Sequence, residues 1–404
     1  MAVLSLFAYL VPQLPWVRRF SLPDVAILLL LGVVTNAINP HIHTLALFAT
    51  HRSWLTIAAS LLIFYGGAEL TKETMRAIWK PVIGLATFGV GISIVILGLL
   101  LALLSVAHLP LITDLLIGAI LAGTDPTVLI SLLDVIALRD RMKEMLIAES
   151  ALNDPVSALV ATSLITLLKP AGTSLRMQIL ITVWEILSAI GAGALLGIVI
   201  TRLPQRSLWR YRTVRMVSVF TLASILSFFL QSSPFLMAFI TGFLAHPLQD
   251  THSDSKIIQS ETALRFRLYD HKAFDILLFV VRSYLFLALG LSFPLHASMQ
   301  DVAFALITAI LLITVARPLS VFSVKGVFHR VFPLREAVFC ACNRQTGVIP
   351  ALFANELLHM HVAHAAYIDL VITFTILVTS VLLLPIFQPL AHALNLIEKK
   401  DDFV

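Results

Sequence analysis

The sequence predicts an all-α polytopic membrane protein of about 13 transmembrane helices, and three observations carry that reading. Of 404 residues, 59% are hydrophobic and 13% charged, against about 25% charged in an ordinary soluble domain. Mean hydropathy is +0.95. The apolar stretches lack the polar face that a helix on a soluble protein presents to water.

A helix needs about 20 apolar residues to cross the hydrocarbon core of a bilayer. On that criterion the spans are 2–16, 22–38, 53–70, 82–107, 112–133, 145–168, 177–201, 214–230, 233–247, 273–294, 301–323, 334–357 and 367–390. The first residues run apolar before basic, the reverse of a cleavable signal peptide, so they read as a short first span. Cys340 and Cys342 lie one residue apart in an apolar segment. That spacing puts them on different helix faces and makes neither a disulfide framework nor a metal site.

The loop charges orient the chain. With the C-terminus cytoplasmic and the N-terminus outside, 22 basic residues fall in inside loops and 3, Arg52, Lys169 and Arg176, in outside loops. A wrong helix count would scramble so lopsided a positive-inside split. The net charge of +5 is then met by lipid headgroups, and no nucleic acid partner is implied. The basic residues left over, Arg282, Arg317 and Arg344, lie inside spans. Each charge at bilayer depth costs about 2.5–3.5 kcal/mol on insertion scales, so each needs a partner or a task. Asp125, Glu149 and Asp154 read as the deepest carboxylates.

Two neighbouring spans carry those acids. In the fifth, Pro126 lacks an N–H and clashes with the preceding turn, so the helix breaks around Gly123–Pro126 with Thr124 and Asp125 at the break. Freed backbone groups at membrane depth are tolerated where they line a cavity or bind something; a plain proline kink is the alternative. In the sixth, Ser150 and Asp154 are four apart on one face, and Glu149 and Asn153 share the next. Helix–helix adhesion is the alternative for Ser or Asn alone. The twelfth span is interrupted by NRQTGVIP, with Gly347 and Pro350. If spans 1–6 and 8–13 are inverted repeats joined by the seventh, the interrupted fifth and twelfth helices are each fifth in their half, a transporter pattern.

These residue types suit a small hard cation, which takes oxygen ligands. Asp154, Asp125, Ser150 and the Thr124 backbone supply them, so Na⁺ is expected there. Burial disfavours the charged form of a carboxylate, so proton and cation compete for one group. Glu149 and Arg344 read as a structural ion pair bridging the sixth and twelfth spans. Arg317 faces the same polar centre in a supporting role. Arg282 reads either as a partner of Asp275 or as a lipid-boundary residue.

TDP at 124–126, ESALNDP at 149–155, ARPLSV at 316–321 and RQTGVIPA at 344–351 together resemble the NhaP-like sodium/proton antiporters of the monovalent cation/proton antiporter family. The resemblance covers essentially the whole chain, including LPDVAILLLLG and FYGGAEL. It implies a core bundle, approximately 82–168 and 301–390. It also implies a dimerisation part, approximately 1–70 and 214–294, a linking helix, approximately 177–201, and a homodimer. Asp154 becomes the ion-binding and proton-carrying aspartate, assisted by Thr124, Asp125 and Ser150, with Asn153 beside it and a Glu149–Arg344 pair. Asn before the aspartate goes with electroneutral members. Gln345, where many relatives have glycine, bears on ion selectivity.

The expected function is secondary-active antiport of Na⁺ (or Li⁺) for H⁺ in a prokaryotic inner membrane, without a cofactor. K⁺/H⁺ exchange and a cation channel are the alternatives. An enzyme is disfavoured, since no GxGD-type pair or Ser–His pair is present. Because the chain ends at Val404 without a long cytoplasmic tail, regulation is expected within the membrane domain. His359, His361 and His364 read as a solvated loop. Glu69 and Glu356, near helix ends, read as side chains reaching to the interface or lining an approach funnel. Glu185 has no evident role.

Overall fold

The computed structural model describes residues 24–38, 52–70, 72–104, 109–124, 138–168, 174–202, 212–245, 261–295, 297–344, 346–360, 364–382 and 384–397. The described segments are helical, apart from short connections and one isolated bridge between Leu138 and Ile397. In chain order they are α1 (Asp24–Ile38), α2 (Arg52–Glu69), α3 (Lys72–Gly84), α4 (Val90–Leu104), α5 (Leu111–Ala122), α6 (Asp140–Leu168), α7 (Leu175–Arg202) and α8 (Arg212–Leu230). Then follow α9 (Pro234–Leu244), α10 (Glu261–Ser292), α11 (Met299–Leu311), α12 (Arg317–Val327), α13 (Leu334–Cys342), α14 (Val348–His359), α15 (Ala365–Leu382) and α16 (Leu384–Ala393).

Among the described residues, five helices are long and apolar enough to cross a membrane unaided, and shorter apolar helices occupy other predicted spans. The short first span, 2–16, lies outside the described residues. The predicted fourth and eleventh spans are each one long helix with a widened turn at its middle, at Leu85–Gly89 and Leu312–Ala316. The third residue of each turn, Thr87 or Thr314, donates its hydroxyl hydrogen bond to the carbonyl four residues back, at 2.6 and 2.7 Å. Such back-bonding competes with the helical ladder and loosens it. After the second turn, Pro318 also removes the N–H that would have bonded the Thr314 carbonyl. Each turn packs on the other long helix: α12 against the first and α4 against the second.

Two helix pairs approach to backbone contact where glycines meet. A Cβ on Gly290 would lie 2.2 Å from the Leu29 carbonyl oxygen and 2.9 Å from Gly32 Cα, so α1 and α10 cross there. A Cβ on Gly242 would lie 2.2 Å from the Phe64 carbonyl oxygen, and one on Gly67 2.4 Å from that of Phe239, so α2 and α9 cross likewise. Close crossing through small residues is how helices associate in lipid, where burial alone gives no drive. The flank of α7 carrying Leu180, Trp184, Leu187 and Leu195 stays exposed, as a lipid-facing helix requires. At the other extreme of the fold, the Arg139 N–H bonds the Leu396 carbonyl at 2.9 Å and Arg141 pairs with Glu336 at 3.1 Å, tying the start of α6 to the C-terminal segment and to α13.

Candidate functional site

The predicted interruption of the twelfth span is present, and α5 ends where the fifth-span break was expected, residues 125–137 lying outside the described residues. Helix α5 ends at Ala122, and Gly123 continues it in extended conformation. Helix α13 ends at Cys342, Asn343 is extended, and α14 starts after Gly347. Each break leaves C-terminal carbonyls without helical donors, inside protein where water cannot reach them. Side chains supply the donors. Ser157 Oγ donates to the Ala119 carbonyl at 2.6 Å, and Arg344 Nη2 donates to the Leu121 carbonyl. Arg317 Nε donates to the Cys340 carbonyl at 3.0 Å. Arginines suit these places because a helix C-terminus carries partial negative charge.

Helix α6 packs against α5 and runs unbroken through Pro155. Asp154 lies against the end of α5: a Cβ on Gly123 would sit 3.0 Å from Asp154 Oδ1 and 3.3 Å from Ser157 Oγ. Any larger residue at 123 would crowd the carboxylate. Asp154 is 4% exposed and therefore faces protein, not lipid. Asn153 Nδ2 donates to Thr124 Oγ1 at 3.3 Å, joining two of the predicted site residues across the α5–α6 contact. Ser150 Oγ and Asn153 Oδ1 are buried and have no hydrogen-bond partner among the described residues. Asp125 lies outside the described residues.

The ion pair differs from expectation. Glu149 is held by Arg317, not by Arg344: Nη1 meets Oε1 at 2.9 Å and Nη2 meets Oε2 at 3.0 Å, with the side chains 3% and 1% exposed. The arrangement is bidentate, the strong form of a guanidinium–carboxylate pair. Arg317 therefore bridges α12, α6 and the end of α13. The cause is direction: Arg317 follows the widened turn directly and is turned inward, whereas Arg344 spends its fork on the end of α5. Arg344 still acts through space on both Glu149 and Asp154. The Thr346 N–H bonds Thr379 Oγ1 at 3.4 Å and so ties the second break to α15.

Two buried acids near these elements carried no signal in the sequence. Asp114 and Asp369 sit near the ends of apolar segments and looked interfacial; they are 3% and 0% exposed. Asn343 and Thr346 are buried within the second break. Glu356 is 3% exposed, which rules out a side chain reaching to the interface, while Glu69 is half-buried. Arg282 lies over the Phe279 ring at 5.9 Å, and the Asp275 side chain is outside the described residues. Cys340 and Cys342 are free thiols. His364 is exposed; His361 and the His359 side chain lie outside the described residues.

Residues 2–392 match the family model described as sodium/hydrogen exchanger, transmembrane. A probable Na⁺/H⁺ antiporter 2 of Methanocaldococcus jannaschii is 24% identical over 346 residues, covering 83% of this chain and 79% of that protein. A K⁺/H⁺ antiporter NhaP2 of Shewanella oneidensis is 29% identical over 184 residues, 46% of this chain, and the match spans only 31% of that longer protein. Among solved structures, the sodium proton antiporter MjNhaP1 of Methanocaldococcus jannaschii at pH 8 superposes with a TM-score of 0.78 at 21% identity, over 95% of this chain and 97% of that one. The fold is thus that of a multi-span antiporter, and the chain belongs to the transmembrane sodium/hydrogen exchanger family.

Proposed function

We propose that the chain is a secondary-active antiporter exchanging Na⁺ (or Li⁺) for H⁺ by alternating access, one cation per proton, with both ions competing for Asp154. One observation carries the reading. A buried carboxylate lies against the end of a broken helix, and the buried oxygens Ser150 Oγ and Asn153 Oδ1, with no hydrogen-bond partner among the described residues, stand on the same helix within about a turn of it. Oxygen lone pairs without donors suit a hard cation. Helix C-termini aimed at the same region favour positive charge. Thr124 and Asp125 complete the proposed ligand set, and the Arg317–Glu149 pair with Arg344 holds the two breaks around it.

On this reading the elements approximately 82–168 and 301–390 move as a core bundle. The remainder, approximately 1–70 and 214–294, forms the dimerisation part of a homodimer, with approximately 177–201 linking the two. The paired widened turns at Leu85–Gly89 and Leu312–Ala316, each in the fourth span of its half, support the inverted repeat. The protein would sit in a prokaryotic plasma membrane with its C-terminus cytoplasmic.

A K⁺/H⁺ exchanger is the second reading, favoured by the name of the Shewanella relative. Proteoliposomes containing a pH dye separate the two when NaCl, LiCl or KCl is added across a pH series. Na⁺ or Li⁺ is expected to collapse the gradient, with apparent cation affinity falling as pH falls, because protons then occupy the shared carboxylate. Asp154→Asn should elute as folded protein yet exchange nothing. Sodium-dependent proton flux surviving in that variant refutes the assignment of Asp154.

A further inference from the structure

A second buried carboxylate lies away from Asp154. Asp369, on α15, is 0% exposed, and neither of its oxygens has a hydrogen-bond partner among the described residues. Thr373 stands four residues on, hence on the same helix face. It too is 0% exposed, with Oγ1 lacking a partner among the described residues.

The depth of this pair can be read along the helices. Thr379 is level with the second break through its bond to the Thr346 N–H. Asp369 lies ten residues earlier, about 15 Å away at 1.5 Å per residue. Asp114 lies eight residues before the end of α5 at Ala122, and Glu356 eight residues after the start of α14 at Val348, about 12 Å along each helix. Buried acids on three helices thus stand about 12–15 Å along their helices from the breaks. Asp114 and Asp301 act electrostatically on the Tyr367 hydroxyl, and the Tyr367 ring lies 5.5 Å from that of Phe304.

The helices packed against α15 are α1, α5, α10, α11, α14 and α16. Their described titratable or charged side chains are Asp114 on α5, Arg282 and Tyr284 on α10, Asp301 on α11, Glu356 on α14 and His392 on α16; Tyr367 is on α15 itself. None hydrogen-bonds or pairs with Asp369. An ionised carboxylate stripped of water and donors costs several kcal/mol even after relaxation. The neutral acid costs far less.

We propose that Asp369 is a second proton-binding group of the protein: it carries a proton in this conformation and releases it when this end of the bundle opens to water. The release rests on the antiporter reading above; the loaded state does not.

Infrared spectra of the full chain in lipid vesicles, in H₂O and D₂O at neutral pH, test the loaded state. A carboxylic acid has a carbonyl stretch that a carboxylate lacks, and deuteration lowers it. That band should vanish in Asp369→Asn and persist in Thr373→Val and Asp154→Asn. A band unchanged in Asp369→Asn overturns the proposal. Proteoliposome flux tests release: Asp369→Asn should still exchange, with its pH profile displaced by about one unit, a tenfold change in proton affinity. A profile superimposable on the wild type overturns the release step. If the wild type exchanges none of Na⁺, Li⁺ or K⁺ for protons, the antiporter reading and the release step fall, while the infrared band still decides whether Asp369 is protonated.

Discussion

Replacing Arg317 by alanine removes three hydrogen bonds at once: two to Glu149, at 2.9 and 3.0 Å, and one to the Cys340 carbonyl, at 3.0 Å. Both charged side chains are at most 3% exposed, so water cannot take over the arginine's role. Breaking one side of a buried pair costs about 3–5 kcal/mol, because the remaining charge is stranded. At 1.4 kcal/mol per decade, that is a factor of roughly 10² to 4 × 10³ in the folded-to-unfolded ratio. For a large chain, about 2 °C per kcal/mol places the loss in melting temperature near 6–10 °C. Thermal denaturation followed by size-exclusion chromatography reads it directly. A double-mutant cycle then tests the partner assignment. Glu149→Gln combined with Arg317→Gln should show strong coupling, and Glu149→Gln with Arg344→Gln a weaker one, since Arg344 reaches Glu149 only through space. The reasoning fails if the second coupling exceeds the first, or if Arg317→Ala melts like the wild type.

Three further outcomes are expected. Gly290→Ala and Gly242→Ala force a Cβ to within 2.2 Å of a neighbouring helix backbone, so both should lose folded yield. By contrast Gly191→Ala and Gly326→Ala, with nothing within 4 Å, should be neutral or gain up to about 1 kcal/mol; equal melting temperatures in all four would refute the crossing geometry. Gly123→Ala sets a methyl 3.0 Å from Asp154 Oδ1, so the protein should fold while its apparent cation affinity in proteoliposomes drops several-fold; unchanged affinity would separate Gly123 from the site. Arg141→Ala breaks a half-exposed pair with Glu336 and a bond to the Val331 carbonyl, together worth about 1–2 kcal/mol, and its melting curve should lie within about 4 °C of the wild type, a smaller loss than that of Arg317→Ala.

Much of this was legible beforehand because lipid imposes a simple grammar on sequence. Long apolar runs located the helices, and the breaks at Gly123 and Gly347 announced themselves through proline and polar residues in segments that otherwise admit neither. Asn153, Asp154 and Ser150 share a short stretch of one helix, so their clustering followed from spacing alone. The partner of Glu149 did not follow. Arg317 and Arg344 are both isolated cations in apolar segments, and which one arrives depends on how far each helix is rotated at the crossing. Asp369 escaped for a different reason: its position near the end of an apolar run is that of an interfacial residue, and only the packing of α11 and α14 over it removes it from water. Burial supplied by neighbours leaves no mark in the segment being buried.

The widened turn at Leu312–Ala316 has a consequence for how Arg317 could be lost. One surplus residue in a helical turn offsets the azimuth of everything beyond it by about 100°. The arginine's aim is therefore set by a residue count as well as by the residues that open the turn. Deleting one residue would swing it a quarter-turn or more around the helix, away from Glu149, with every side chain of the pair still present in the chain.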